Sequence, residues 1–311
     1  MLRIDKPIDL SLILKAGQVF CWEFCLETDE WIGVIDSSIF RLKQAGPGIS
    51  FTFDSSALTD EQATARLFDF FQLNDDLLPL RCKWSQHHDV FISEVFEGLR
   101  VCRQDPYECL ISFIVSANNN IKRINQNLRS IRKTFGTCLN EAQGLYAFPS
   151  VAQLSTATSE QLRGLGLGYR AEYIVKTVNM LAQEGVMDQL YQLRKEVDTD
   201  AARDFLTQFQ GVGRKVADCV MLYALDFPEI TPVDTHMFQI AQRIFSRNIK
   251  KDNAMHDTIQ TLMIERFGPK AGWAHCYLFA ADLRPAEPPV KAKKSKRAAE
   301  DEASTATSSP V

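Results

Sequence analysis

Two short stretches hold the side chains best placed for chemistry. One is Phe209-Gln210-Gly211-Val212-Gly213-Arg214-Lys215-Val216-Ala217-Asp218-Cys219; the other is Pro232-Val233-Asp234. Lys215 offers an amine that can act as a nucleophile, and Asp234 a carboxylate that can stabilise positive charge. Residues 204–209 and 215–225 both read as helix, the second with apolar side chains at 216, 219, 220, 223 and 224, a 3.6-residue stripe. Gly211 and Gly213 therefore fall in a tight connection. Glycine permits positive φ and close backbone approach, and the unpaired N–H groups that open the next helix favour an anion such as a phosphate. A Gly-x-Gly turn also serves simply to join packed helices. Lys215 opens the second helix, and Cys219 follows on the same face one turn later. From 215 to 224 the helix rises about 15 Å, and residues 225–233 can reach roughly 30 Å, so the chain can return and set Asp234 beside Lys215. Asp234 also heads a new apolar period, Met237, Ile240, Ala241 and Ile244, which makes it an N-cap. The two roles are compatible, because a cap is held rigidly and the helix dipole favours its negative charge.

The surrounding chain sets the frame. At 311 residues it slightly exceeds the size of a single core, so two packed domains are expected. Residues 1–80 mix short runs at 19–24, 31–35 and 49–53 with Asp, Ser, Gly and Pro, and read as an antiparallel sheet. Residues 81–283 change to helical periods, with the hairpin at about 205–224 and turns at Phe135-Gly136, Phe148-Pro149-Ser150, 164–168 and Phe267-Gly268-Pro269. The expected class is α+β, an N-terminal antiparallel sheet domain packed on a mainly helical domain that contains a helix-hairpin-helix. Residues 284–311, rich in Pro, Ala, Lys, Ser and Thr, read as a disordered tail with a basic cluster, Lys291, Lys293, Lys294, Lys296 and Arg297, similar to a nuclear localisation signal.

A net charge of −4 excludes a broadly basic surface, so contact with nucleic acid must be local. Candidates are Lys122, Arg123, Arg129, Arg132, Lys133, Arg163, Arg170, Arg214 and Lys215. Eight scattered cysteines read as reduced intracellular thiols, and no Cys/His spacing suits zinc. Charges at Arg3, Asp5, Lys6 and Asp9 argue against a signal peptide, and no apolar run reaches membrane-spanning length. The expectation is a soluble monomer with no metal, no cofactor and no membrane partner.

The hairpin and the Pro-Val-Asp segment resemble the helix-hairpin-helix Gly/Pro-Asp motif of base-excision DNA glycosylases. The whole chain, from about Leu2 to Leu283, resembles the eukaryotic 8-oxoguanine DNA glycosylases. Similar stretches are Ala16-Gly17-Gln18-Val19-Phe20-Cys21-Trp22, residues 113–123 with Asn118-Asn119-Asn120, Leu165-Gly166-Leu167-Gly168-Tyr169-Arg170-Ala171, Gly272-Trp273-Ala274 and Phe279-Ala280-Ala281-Asp282-Leu283. The four-cysteine cluster of the iron–sulfur branch is not among the cysteine spacings.

The resemblance implies a bifunctional glycosylase/β-lyase that excises 8-oxoguanine opposite cytosine from double-stranded DNA, in the nucleus. The damaged nucleotide must be flipped into a pocket. Lys215 would attack the sugar C1′ and form a Schiff base, with Asp234 stabilising the sugar's positive charge. Attack requires a neutral amine, so desolvation or a neighbouring cation, Arg214 being a candidate, must favour loss of the proton. The oxidised base carries N7–H where guanine has an acceptor, and the family reads it with the glycine carbonyl that matches Gly17. Cys219 and Phe279 match the residues that sandwich the base. Asn118, Arg123 and Arg170 match contacts to the widowed cytosine, with Tyr169 as the wedge. Gly211 and Gly213 belong to the backbone grip, and His236 matches a phosphate contact. Three departures stand out: His275 where animal enzymes usually have Gln against the base's pairing edge, Gln210 where Pro is common, and Cys21 where Arg is frequent. An alkyl-base glycosylase of the same superfamily and a non-catalytic DNA-binding module are the competing readings; the first usually lacks the lysine, and the second needs neither Lys215 nor Asp234.

Overall fold

In the computed structural model, residues 1–195 and 198–283 are described; the expected tail at 284–311 and its basic cluster lie outside them. Strands β1 (Leu2–Ile4), β2 (Trp22–Cys25), β3 (Glu30–Ile35), β4 (Ser38–Ala45) and β5 (Gly48–Asp54) form one antiparallel sheet in the order β1-β5-β4-β3-β2. Trp31 pairs with Leu42, and Leu42 with Phe51. These buried residues share one face, as the two-residue period of a strand requires. On β3, a Cβ at Gly33 would stand 2.4 Å from the Trp22 ring, so glycine lets the indole lie flat on the neighbouring strand. The expected runs at 31–35 and 49–53 are strands; the run at 19–24 yields only β2, with Val19 and Phe20 buried ahead of it. β4 was not expected. Its Arg41 and Lys43 flank buried Leu42 after buried Phe40, so an alternating strand looked like a broken apolar run.

The first 80 residues also hold helices α1 (Leu10–Leu14) and α2 (Asp60–Phe70) and the start of α3 (Leu78–Trp84). α2 begins with a Thr59/Gln62 capping box and buries Ala63, Leu67 and Phe70. There follow α4 (Pro106–Ser116), α5 (Ile121–Phe135), a small hairpin of β6 (Cys138–Asn140) and β7 (Leu145–Tyr146), α6 (Val151–Leu154), α7 (Ser159–Gly164), α8 (Arg170–Leu181), α9 (Val186–Gln192), α10 (Thr199–Thr207), α11 (Arg214–Ala224), α12 (Thr235–Phe245), α13 (Met255–Phe267) and α14 (Ala271–Asp282). The chain breaks expected at Phe135-Gly136, 164–168 and Phe267-Gly268 coincide with helix ends. Buried apolar side chains from Ile4 to Ala280 form one continuous cluster, so sheet and helices share a core.

At the centre, α4 packs on α11. Every residue of α11 from Val216 to Ala224 is buried, beyond the single stripe read from its sequence. A helix that is covered all round sits at the middle of a core. Only its first turn, Arg214 and Lys215, is partly open. α10 ends at Thr207, two residues before the expected point, and the connection to α11 turns through Gly211 at φ +84°. A Cβ there would meet the Tyr173 ring at 2.3 Å, whereas Gly213, the N-cap of α11 at φ −92°, faces open space. Replacement of Gly211 by Ala should cost about 2 kcal/mol or more through strain and overpacking. Gly213→Ala should cost less than about 1 kcal/mol, as a glycine cap lost. Urea unfolding of both variants checks this ordering, and equal costs would contradict the packed turn.

Candidate active site

Lys215 lies half-buried in the open turn of α11. Its ammonium stands 5.3 Å from the centroid of Phe113 on α4, a ring that stacks on Tyr223 at 5.6 Å and 11° and meets Phe20 at 5.8 Å. Lys215 also acts electrostatically on the Cys219 thiol one turn along. Burial pushes that thiol up to about 11, against the pull of Lys215, so Cys219 is a neutral wall and not a thiolate.

Asp234 caps α12, its carboxylate accepting from the Met237 amide at 2.8 Å. Its charge and that of Lys215 both act on Cys219 and on His275, which gathers amine and carboxylate around the same two side chains. His275 is buried on α14, 5.6 Å ring to ring from Phe279 one turn on. Burial pulls its imidazole down to about 4, with Lys215 adding to the effect and Asp234 opposing it. The ring is therefore neutral at physiological pH and offers one donor and one acceptor. Phe279 is half-buried, and its ring meets that of His236 at 6.0 Å and 82°. His236, exposed in the first turn of α12, also lies 3.6 Å from Asp282.

Gly17 has φ +76° and packs against Ile121 at the head of α5; a Cβ would meet that side chain at 3.2 Å. Its neighbour Gln18 is buried and pins the segment: the side-chain amide donates to Arg100 O at 2.9 Å, the side-chain oxygen accepts from Cys102 N at 2.9 Å, and the backbone carbonyl accepts from Gln104 at 2.7 Å. Gln18 is thus held both by its side chain and by its own carbonyl, immediately after Gly17. Sequence reasoning treated Gln18 only as part of a matching segment, and its pinning partners lie more than 80 positions away.

A second group surrounds the start of α8. Arg170 donates from Nε to Ala117 O at 2.8 Å and from Nη2 to Asn118 O at 2.7 Å, and is itself buried. Tyr169, 48% exposed, donates to the same Ala117 carbonyl at 3.2 Å, and its ring lies 4.6 Å from the Arg170 guanidinium. Asn118 is exposed in the left-handed region at φ 49°, and Arg123 is exposed with Nη2 on Gly166 O at 3.2 Å. Arg170 thus serves here as a clamp on the Asn118 loop. The cluster of Asn118, Arg123, Tyr169 and Arg170 is held together by backbone carbonyls.

The expected cationic track is thinner than its sequence. Arg132 pairs with Glu108 at 2.6 Å, Arg129 with Glu23 at 3.2 Å and Arg163 with Glu172 at 3.9 Å. Arg214 turns to Asp257 at 2.6 Å and to buried Asp218 at 3.6 Å. Its charge is spent on carboxylates, and the group that stands against the Lys215 amine is the Phe113 ring. Asp218 is also held by Arg203 at 2.9 Å from α10, which ties both helices of the hairpin together. Phe113 and Arg203 were missed, the first because it stands in an apolar run that reads as core, the second because its partner is 15 residues away.

The neutral state of His275 has a consequence for folding. Its folded value, about 4, is below the ordinary 6.5, so the unfolded chain binds more protons between those values and stability falls as pH drops through that window. Between pH 7 and 4.5, wild type should lose about 2 to 3 kcal/mol more than His275→Gln. Urea midpoints at both pH values measure it, and parallel losses would show that the imidazole charges freely in the fold.

Known proteins resemble this chain along most of its length. Residues 1–110 match the family described as 8-oxoguanine DNA glycosylase, N-terminal domain, and residues 111–263 the HhH-GPD superfamily of base excision DNA repair proteins. The N-glycosylase/DNA lyase OGG1 of Arabidopsis thaliana is 35% identical over 288 residues, covering 89% of this chain and 78% of that protein. The N-glycosylase/DNA lyase of Saccharomyces cerevisiae is 30% identical, covering 91% and 85%. The solved 8-oxoguanine glycosylase/lyase of Clostridium acetobutylicum, in complex with double-stranded DNA containing cytosine opposite 8-oxoguanine, superposes with a TM-score of 0.76 at 27% identity, over 89% of this chain and 92% of that one. By sequence along nearly its whole described length, and by fold, the chain belongs to the 8-oxoguanine DNA glycosylase family of helix-hairpin-helix base excision repair proteins.

Proposed function

We propose that the chain removes 8-oxoguanine from opposite cytosine in duplex DNA and then cleaves the strand, with Lys215 as nucleophile. The observation that carries this reading is Lys215 at the open end of α11, its ammonium over Phe113, with the capping carboxylate of Asp234 near enough to act on the same two side chains as the amine, Cys219 and His275. A lysine there separates a lyase from a glycosylase that uses water. The Lys215 nitrogen bonds to the sugar C1′, the bond from C1′ to the base breaks, and the base leaves with a proton. The nitrogen then loses its extra protons as the C1′–O4′ bond breaks and O4′ takes up a proton, which gives the Schiff base; loss of a C2′ proton expels the 3′ phosphate and opens the strand. Phe113 and the Cys219 thiol form the wall against which the amine lies. Asp234, fixed as a helix cap, stabilises the positive charge that grows on the sugar.

Substrate choice is assigned to one backbone carbonyl and three side chains. The Gly17 carbonyl accepts from the N7–H of the oxidised base, Cys219 and Phe279 flank it, and neutral His275 faces its pairing edge. Asn118, Arg123 and Arg170 read the widowed cytosine, Tyr169 fills the gap, and the amides of the Gly211–Gly213 turn and His236 grip the backbone. The nuclear placement rests on the basic cluster from Lys291 to Arg297.

Incubated with a duplex carrying 8-oxoguanine opposite cytosine, the protein should release the free oxidised base and nick the strand at the same site. Asp234→Asn keeps an oxygen for the Met237 amide but removes the charge. Base release should therefore fall about a hundredfold or more, while the unfolding free energy changes by less than about 1 kcal/mol. Single-turnover release read by mass spectrometry, beside a melting curve, makes the comparison. A stability loss that accounts for the activity loss would reduce Asp234 to a cap.

A further inference from the structure

Helix α8 carries three side chains at four-residue spacing, one above another on a single face: Tyr169 at its N-cap, then Tyr173, then Thr177. Each touches a different part of the DNA-facing apparatus assigned above. Tyr169 is the exposed wedge. Tyr173 meets the Tyr169 ring edge to face at 5.5 Å and 72°, and its other flank lies against Gly211 so closely that a Cβ there would come within 2.3 Å of Cδ2. Thr177 is fully buried and donates its hydroxyl to the carbonyl of Gln210 at 3.4 Å. Between them runs a groove of about 450 Å³ lined by Ala117, Tyr169, Tyr173 and the hairpin from Thr207 to Gly213.

From this geometry we infer that α8 is a ruler between the wedge and the hairpin, and that Tyr173 is the positioning residue that sets their separation. The inference rests on the proposed reading of Tyr169 as wedge and of the hairpin as backbone grip. Physically, base flipping requires two forces at a fixed offset: a ring pressed into the base stack, and a hold on the sugar–phosphate backbone of the strand being turned. If either gives way, the ring is pushed out instead of the base. A helix turn is stiff, and the span from Tyr169 to Thr177 is about 12 Å. The aromatic edge-to-face contact fixes the wedge relative to that helix. The absence of a side chain at Gly211 lets the hairpin backbone rest on the other flank of the same ring. Thr177 anchors the Gln210 carbonyl and so ties the head of the hairpin turn to α8.

The ruler matters for opening a base pair and much less for the chemistry on a base that is already unpaired. Tyr173→Leu should therefore slow single-turnover excision of 8-oxoguanine opposite cytosine about tenfold to a hundredfold. On the same lesion placed in an unpaired bulge the loss should be several times smaller. Tyr173→Phe, which keeps the ring, should restore the paired rate. Tyr169→Ala and Tyr173→Leu combined should cost little more than the greater single loss, because both act on one step. Equal losses of Tyr173→Leu on paired and bulged lesions, or additive losses in the double variant, would overturn the ruler and leave Tyr173 as packing. A wild type that excises neither lesion would instead refute the proposed function. If Tyr173→Leu fails to fold, Thr177→Val, which removes only the Gln210 hydrogen bond, should show the same bias against the paired lesion, and its absence would count against the inference.

Discussion

Everything in the site depends on the burial of α11. Because this helix is enclosed on every side beyond its first turn, its axis is fixed by the core, and only that first turn is left partly open. Lys215 occupies that turn. Its ammonium lies over the Phe113 ring, and among the described residues no carboxylate makes a direct ion pair with it, so the amine is not tied up by a partner. Asp234 comes from a different element, but the cap on α12 makes its position as fixed as a backbone atom.

Charge is used sparingly around this turn. The chain is acidic overall, and several arginines that could have formed a broad cationic face are bound to carboxylates of the protein. Arg203, Asp218 and Arg214 spend their charges binding α10, α11 and α13 to one another, which stiffens the hairpin instead of attracting DNA. Recognition by so small a charged area leans on backbone donors and on shape, and so on accurate placement. The pinned Gln18, the Arg170 clamp on the Asn118 loop and the stacked tyrosines of α8 are all placement devices.

The parts legible in the sequence were those with strong local signals. A Gly-x-Gly turn between periodic segments marked the hairpin, and an Asp after Pro at the head of an apolar period marked the α12 cap. The sheet was legible where strands were apolar, and illegible at β4, where Arg41 and Lys43 hid the alternation. Pairings across long stretches of chain left no trace: Arg214 with Asp257 and Gln18 with Gln104 are set by tertiary packing. Phe113 looked like any residue of an apolar helix, because its contact with Lys215 exists only once α4 and α11 have packed.

The central claim is that the amine at the open end of α11 becomes covalently joined to DNA. A Schiff base can be reduced to a permanent bond, so the direct measurement is borohydride reduction during reaction with a duplex bearing 8-oxoguanine opposite cytosine, followed by peptide mapping of the cross-linked protein. The expected result is a cross-link on Lys215, abolished in Lys215→Gln although that variant still binds the damaged duplex. A cross-link that persists in Lys215→Gln, or maps to another residue, would contradict the account, as would base release by the wild type with no trapped species.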